Sequence, residues 1–334
     1  MGIIALSFLQ FGGCKKMDAF YGTPLPFEVP QGFPQPVYSF SNNPVTKEGF
    51  ELGRKLFYEG RLSLDGNFPC ASCHQQEAAF TTKEHDLGHG YNNAHTVRNP
   101  VGLANLAWFT EYYHDGSTKS LEEISLRHIT SPTEMAETMN GVVAKLKGDT
   151  MYQRLFREAY GDAQVTGNRI LKSLSQFVIN MVSASSKYDR VKKGTAAFSA
   201  GEQRGYISFQ KNCATCHAEP LFTDLSYRNI GLPVSPFFLD YGRMTLTGRS
   251  SDSLKFRVPS LRNVAVTGTY THDGRIGVLK TMVNHYRTGI AQSATLDPLL
   301  KNGLALTNGE TDDLVAFLKT LTDSSYLVDR RFGH

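Results

Sequence analysis

Apolar side chains recur every three to four residues in several long segments of this chain, and that spacing is typical of amphipathic helices. The first such segment begins near Thr46, and the later ones are residues 119–129, 137–147, 150–160, 167–186 and a stretch that runs from about Ser199 towards Cys213. No run of four to eight residues alternates clearly between apolar and polar positions, so the pattern predicts no strand. The sequence therefore predicts a mainly α-helical protein with long loops between its helices.

The segment before the first predicted helix has a different composition. Residues 18–45 contain prolines at Pro24, Pro26, Pro30, Pro34, Pro36 and Pro44. Proline has a fixed φ and no backbone N–H, so a segment this rich in proline does not form a helix. We expect an extended tether, or a strap that packs on the body of the protein.

Charge and hydropathy indicate which kinds of molecule this chain can bind. The chain has a formal net charge of +4 and an isoelectric point of about 8.7, which is too weakly basic to indicate nucleic-acid binding. This charge is compatible with docking of a small, charged electron-transfer protein. No stretch of eighteen or more apolar residues occurs, so the sequence predicts no membrane span.

Four of the five cysteines lie in two C-x-x-C-H motifs, at residues 70–74 and 213–217. Two thiols at this spacing can add to the two vinyl groups of one porphyrin, and the adjacent histidine then binds the iron. A zinc site would make both histidines coincidental, and a thiol redox site would need a βαβ context that is missing. We predict two covalent haem c groups, held by Cys70, Cys73 and His74 and by Cys213, Cys216 and His217.

The fifth cysteine, Cys14, follows Gly12, Gly13 and a short apolar run, an arrangement that resembles a bacterial lipobox. The run has the length of the apolar part of a signal peptide. Attachment of haem c takes place on the oxidising side of a bacterial membrane, so export is required in any case. We predict a periplasmic protein whose only membrane attachment is a lipid on Cys14; an uncleaved apolar end with a chance cysteine is the alternative.

A Y-x-H-D-G-x-x-x-x-L pattern occurs twice, at residues 112–121 and 270–279. Each copy follows its own C-x-x-C-H motif, which indicates a duplicated domain. We predict two tandem cytochrome c-like domains, each built around one haem. The predicted organisation is a signal segment, a proline-rich tether, an N-terminal domain and a C-terminal domain, at residues 1–14, 15–45, 46–190 and 191–334.

With these motifs in place, the chain resembles the bacterial di-haem cytochrome c peroxidase family, which includes the MauG-type enzymes. The resemblance covers about residues 45–325, and its further motifs are G-R-x-L-F-Y-x-x-R-L-S at 53–63, L-G-H-G at 87–90, R-N-P at 98–100, Y-H-D-G at 113–116, S-P-T-E-M at 131–135 and F-R-V-P-S-L-R-N at 256–263. It implies that the N-terminal haem reacts with peroxide and that the C-terminal haem relays electrons.

The resemblance assigns two residues to the open face of the N-terminal haem. His89, between two glycines on a loop, matches the histidine that occupies the sixth position at rest and leaves on activation, with His85 as a nearby alternative. Glu134 matches the carboxylate that moves a proton between the two peroxide oxygens while the O–O bond breaks. A solvent-exposed loop histidine and a glutamate placed for a helix dipole are the simpler interpretations.

Two positions depart from the usual family pattern. His114 stands where many members have a tryptophan between the haems, so electron transfer depends on His114 or on other groups; Trp108, the only tryptophan, is expected in the core. At the C-terminal haem the usual methionine ligand falls on Tyr286, the MauG-type arrangement, in which a phenolate favours high oxidation states. The alternative is that Tyr286 is a buried aromatic and Met282 or Met244 binds the iron.

The resemblance also implies further contacts around the haems. A calcium ion between the domains would be held by the side chain of Asn99 and by the carbonyls of Thr267 and Thr269. Arg257 is a candidate partner for a haem propionate, although an ordinary surface arginine is the alternative.

These features together predict a peroxidase that reduces hydrogen peroxide to water with electrons from a small c-type cytochrome or a cupredoxin. A MauG-like enzyme that oxidises tryptophan or tyrosine of a partner protein is the alternative, favoured by Tyr286, whereas the His89 loop favours the peroxidase. A di-haem electron carrier without catalysis is a third interpretation, and Glu134 argues against it. The resemblance allows a homodimer.

Overall fold

The computed structural model describes residues 21–83 and 85–334, so the predicted lipid-anchor residue Cys14 lies outside the described residues. Helices dominate this part of the chain, which confirms the prediction of a mainly α-helical protein. Within it, no helix is both long enough and apolar enough to cross a lipid bilayer.

The helices follow one another along the chain and are joined by loops and short 3-10 turns. They are α1 (Lys47–Phe57), α2 (Leu121–Thr130), α3 (Met139–Leu146), α4 (Thr150–Tyr160), α5 (Gly167–Ile179), α6 (Lys187–Lys192), α7 (Ala200–Asn212), α8 (Arg243–Thr247), α9 (Leu279–Asn284), α10 (Asn308–Lys319) and α11 (Ser324–Leu327). A π-helical turn, His285–Gly289, continues α9. Two short strands, β1 (Tyr227–Arg228) and β2 (Phe256–Arg257), form an antiparallel pair, the only sheet among the described residues.

Side-chain caps explain where the longer helices begin. The hydroxyl of Thr46 accepts the backbone N–H of Gly49, so α1 starts at Lys47. The hydroxyl of Ser199 accepts the N–H of Glu202, whose carboxylate accepts the N–H of Ser199 in return. Such caps satisfy donors that a helix start leaves free, and each contributes about 1 kcal/mol.

The predicted helix over residues 167–186 ends early, at Ile179. The backbone N–H groups of Ala184 and Ser185 donate to the carboxylate of Asp323, at 3.0 and 2.9 Å. These long-range hydrogen bonds replace those that another helical turn would make. Local periodicity therefore overestimates the length of this helix, because Asp323, the partner of these hydrogen bonds, lies far away in sequence.

Two helix pairs repeat the same close packing in the two halves of the chain. Helix α1 lies against α5, and α7 lies against α10. A Cβ atom added at Gly53 would lie 1.9 Å from the carbonyl oxygen of Ser173, and one added at Gly205 would lie 1.9 Å from that of Asp313. Both crossings thus bring a glycine of one helix equally close to a backbone carbonyl of the other.

The end of the chain returns to the first half. Tyr326 and Phe332 are buried in the hydrophobic cluster of that half, where the ring of Phe332 lies 6.2 Å from the ring of Phe177. A second, separate cluster is formed by residues of the second half, among them Phe209 and Phe317. The last residues of the predicted C-terminal domain therefore stabilise the core around the first haem motif.

The proline-rich segment lies along the body as a strap over Trp108. The indole Nε1 of Trp108 donates to the carbonyl of Pro34 at 2.7 Å, and its ring packs 5.1 Å from the ring of Phe33. The backbone N–H groups of Val37 and Tyr38 both donate to the carbonyl of Ala107. Trp108 is a core residue, as the sequence predicts.

We expect Gly205→Ala to destabilise the protein by about 1–3 kcal/mol, because the added methyl group would overlap backbone atoms of α10. Thermal unfolding of the haem-loaded protein measures this effect. Gly201→Ala in the same helix is the control, since the nearest atom is the end of the flexible Asp313 side chain, at 3.0 Å. A melting temperature for Gly205→Ala at or above that of the control would refute the close helix crossing.

Candidate active site

Both C-x-x-C-H motifs begin at the boundary of a helical element. Cys70 begins a 3-10 turn that ends before Cys73, and Cys213 caps the C-terminus of α7. All four motif cysteines are free thiols and partly buried. The thiols are therefore available for bonds to a cofactor.

The two motif histidines are oriented alike. The Nδ1 atom of His74 hydrogen-bonds to the carbonyl of Phe80 at 2.8 Å, and the Nδ1 atom of His217 to that of Phe222 at 3.1 Å. Burial lowers the pKa of His74 to about 4 and lowers that of His217 as well. A neutral imidazole that donates from Nδ1 presents the Nε2 lone pair to a metal, which is the usual arrangement of a metal-bound histidine.

The donor set fits haem iron better than zinc. Among residues 21–83 and 85–334, no group of three or more His, Cys, Asp or Glu side chains is arranged to hold a metal ion. A structural zinc ion needs four such ligands. Each motif instead offers one oriented imidazole beside two thiols, the set that a covalent haem requires.

Arg257 provides a second test of this fit. Its side chain is buried, and although Nε donates to the carbonyl of Tyr113 at 3.0 Å, Nη1 has no partner. The guanidinium lies 4.7 Å above the ring of Phe109, and burial lowers the pKa of Arg257 to about 10. A buried, incompletely paired cation of this kind calls for an anionic partner, and a haem propionate has the right chemistry.

Glu134 is paired with His128, a histidine that the sequence motifs do not indicate, and His128 lies near His74. The Nδ1 atom of His128, in the last turn of α2, lies 2.5 Å from a carboxylate oxygen of Glu134. The ring of His128 is 6.4 Å from the ring of His74. In the sequence, His128 is marked by its position six residues before Glu134, near the end of a predicted helix.

The turn that carries Glu134 is fixed through its backbone. The carbonyl of Glu134 accepts the N–H of Tyr91 at 2.6 Å. A Cβ at Gly90 would lie 2.4 Å from that same carbonyl oxygen, so only glycine fits at this close approach. The L-G-H-G loop therefore packs directly on the carboxylate-bearing turn.

His89 lies on that loop with its imidazole in a cluster of histidines. Its ring lies 4.7 Å from the ring of His85 and 4.1 Å from the ring of His95, and its Nδ1 is 3.2 Å from Oδ1 of Asn93. The carbonyl of His89 is 3.8 Å from the thiol of Cys73. The structure thus brings the backbone of the loop to the first haem motif.

His114 is partly buried, and its contacts join the two halves of the chain. Its Nε2 atom hydrogen-bonds to the carbonyl of Asn99 at 2.8 Å, and its own carbonyl accepts the N–H of Arg257 at 2.7 Å. Burial lowers the pKa of His114 to about 4, so the ring is neutral near pH 7. The predicted residue therefore occupies a position between the halves, where it contacts backbone groups.

Tyr286 lies in the π-helical turn after α9, close to the second haem motif. Burial, and then the nearby thiols of Cys213 and Cys216, hold the pKa of its phenol well above the usual range. Single π-helical turns occur often at functional sites. The competing residues lie in other elements: Met282 one turn earlier in α9, and Met244 in α8.

The residues predicted to bind calcium meet between the halves. The side-chain amide of Asn99 donates to the carbonyl of Asp86 at 2.8 Å and to the hydroxyl of Thr269. The carbonyl of Thr267 accepts the hydroxyl of Thr81 and the N–H of Thr269. Oxygen atoms of the three predicted ligand residues are therefore gathered in one region.

Comparison with known proteins identifies the family of this chain. The family described as di-haem cytochrome c peroxidase matches residues 47–197. The chain is 32% identical to the methylamine utilization protein MauG of Methylophilus methylotrophus, across 88% of this chain and 87% of that protein. It is 33% identical to the cytochrome c551 peroxidase of Nitrosomonas europaea, across 84% and 81%.

A solved structure shares the fold over nearly its whole length. It is a MauG-like protein associated with microbial copper homeostasis, with a TM-score of 0.84 and 31% identity over 92% of this chain and 98% of that one. Fold, site and relatives define an oxidoreductase of the peroxidase class. The chain belongs to the di-haem cytochrome c peroxidase family, which includes MauG, and membership implies two haem c cofactors.

Proposed function

We propose that this enzyme reduces hydrogen peroxide at the N-terminal haem, held by Cys70, Cys73 and His74. The main support for this proposal is the Glu134–His128 pair, which lies near His74, where a substrate would bind. Bound haem would supply an iron that binds peroxide and takes up its oxidising equivalents. The protein supplies the proximal imidazole, the covalent attachment and the carboxylate.

In this proposal Glu134 transfers a proton between the two oxygens of the peroxide. Reduction of peroxide to water requires one proton to move from the oxygen nearer the iron to the leaving oxygen. A carboxylate can accept that proton and then deliver it, provided that it stays in one place. The backbone contacts of Glu134 with Tyr91 and Gly90 fix its position.

The C-terminal haem would be attached to Cys213 and Cys216 with His217 as proximal ligand, and would relay electrons inward. The equivalent helix crossings at Gly53 and Gly205 support two cytochrome c-like domains, each around one haem. Arg257 would bind a propionate, and the junction near His114 would lie on the electron path. A calcium ion at Asn99, Thr267 and Thr269 would hold the two domains together.

The electron source defines the two candidate functions. A small c-type cytochrome or a cupredoxin as donor makes the protein a peroxidase, our main proposal. Tyr286 beside the second haem motif favours the MauG-like alternative, in which tryptophan or tyrosine of a partner protein is oxidised. Both functions place the protein in the periplasm, where we propose that a lipid on Cys14 anchors it.

Donor stoichiometry tests the proposed function. Mixed with reduced small c-type cytochrome and peroxide, the haem-loaded enzyme should oxidise two cytochromes per peroxide consumed, because the reduction to water takes two electrons. Wild-type protein without donor is the control. Donor-independent consumption of peroxide with oxidation of a partner protein's aromatic residues would replace the peroxidase by the MauG-like function, and no consumption in either case would refute both.

A further inference from the structure

We propose that His128 is the sixth ligand of the N-terminal haem in the resting ferric protein, held in place by Glu134. This inference goes beyond the proposed function but rests on it, because it needs the haem at His74. It assigns the position that the family resemblance gives to His89 to a residue on a different element, α2.

The separation of two histidine rings is the first argument. The rings of His74 and His128 lie 6.4 Å apart, with 73° between their planes. Two imidazoles that share one metal ion through nitrogen–metal bonds of about 2 Å have ring centres roughly 6 Å apart. The observed separation is therefore the one that a single iron between the two rings would require.

The orientation of His128 is the second argument. Its Nδ1 atom is paired with the carboxylate of Glu134, which leaves Nε2 as the nitrogen for the metal. A carboxylate behind a metal-bound histidine fixes the ring and raises the basicity of its ligating nitrogen. Because the turn around Glu134 is fixed through Tyr91, the carboxylate can hold the ring against thermal motion.

The surroundings of His128 allow its ring to leave. His128 lies in the last turn of α2, which ends two residues later at Thr130. The other ring close to it is that of Tyr113, at 5.4 Å. Peroxide would then reach the iron when His128 swings outward, and Glu134 would become free to accept a proton from the substrate.

His89 is less well placed for this role. Its ring contacts those of His85 and His95, and its Nδ1 faces Asn93. To bind the iron, the ring would have to leave these partners. His128 needs no such rearrangement.

Electron paramagnetic resonance and absorption spectra of the ferric, haem-loaded protein test the assignment. We expect a low-spin N-terminal haem in the wild type, loss of that low-spin signal in His128→Ala with a gain of high-spin iron, and recovery of the signal with added imidazole. His128→Gln, which keeps a polar side chain of similar size beside Glu134, should show the same loss. His95→Ala, a histidine outside the proposed ligand set, should leave the spin state unchanged.

Each contrary outcome overturns the assignment. These outcomes are a high-spin N-terminal haem in the wild type, a low-spin signal that survives both His128 variants, or a signal that disappears in His89→Ala but not in the His128 variants. Both variants must carry two haems and melt near the wild-type temperature. Peroxide turnover by the wild type, measured separately, decides the proposed function, so the two hypotheses can fail independently.

Discussion

Replacing Glu134 with glutamine should lower the rate constant for reaction with hydrogen peroxide by about 10²- to 10⁴-fold, the usual contribution of a positioned acid–base group. Glutamine keeps the size and a hydrogen-bonding oxygen, but it cannot accept a proton from one peroxide oxygen and deliver it to the other. Stopped-flow mixing with peroxide, followed at the haem absorption bands, measures the rate.

Glu122→Gln is the matched control for this experiment. Glu122 also lies in α2, but its carboxylate is directed to Tyr38 and Ser120. Its replacement should change the rate less than twofold, within the range of surface substitutions. A Glu134→Gln rate within a factor of three of the wild type would remove Glu134 from the chemistry and leave it a structural residue.

The second large effect is expected for Tyr286→Phe. Removing the phenol oxygen takes away the proposed sixth ligand of the C-terminal haem, so its low-spin signal should be lost completely while that of the N-terminal haem persists. The reduction potential of the C-terminal haem should rise, because a phenolate stabilises the ferric state. Electron paramagnetic resonance spectra of the haem-loaded variant measure the loss of the low-spin signal, and a redox titration measures the change in reduction potential.

Tyr270→Phe controls for removing a partly buried phenol hydroxyl elsewhere in the same half. Tyr270 packs on the second hydrophobic cluster and donates to the carbonyl of Val264 at 2.9 Å. Its replacement should leave the spectra of both haems unchanged. An unaltered spectrum in Tyr286→Phe, or loss of the signal only in Met282→Leu, would show that the methionine is the ligand.

The predictions from sequence succeeded where a local pattern carries the information. Helical periodicity located the start of α1 near Thr46, and the covalent requirement of porphyrin attachment makes C-x-x-C-H specific enough to indicate haem without structural data. The motifs around Glu134 and Arg257 predicted the family that the relatives show. Each of these motifs can be recognised from the sequence because its residues are neighbours in the chain.

The remaining features depend on residues far apart in sequence. The early end of α5 follows from hydrogen bonds to Asp323, and the packing of Phe332 on the first half follows from the path of the C-terminal tail. The candidate role of His128 was not predicted, because it follows from the distance between His128 and His74, which the helical pattern of the sequence does not reveal. The exact roles of His89, Tyr286 and the calcium ligands stay predictions.

We expect the two haems to be unequal: one opens to a small ligand, and the other is closed by a firmly held side chain. Titration of the fully reduced, haem-loaded protein with carbon monoxide tests this expectation most directly, because carbon monoxide binds iron only where the sixth position can open. We predict one carbon monoxide bound per two haems. Binding of two carbon monoxide molecules per chain, or of none, would show that the two haems do not differ in this way.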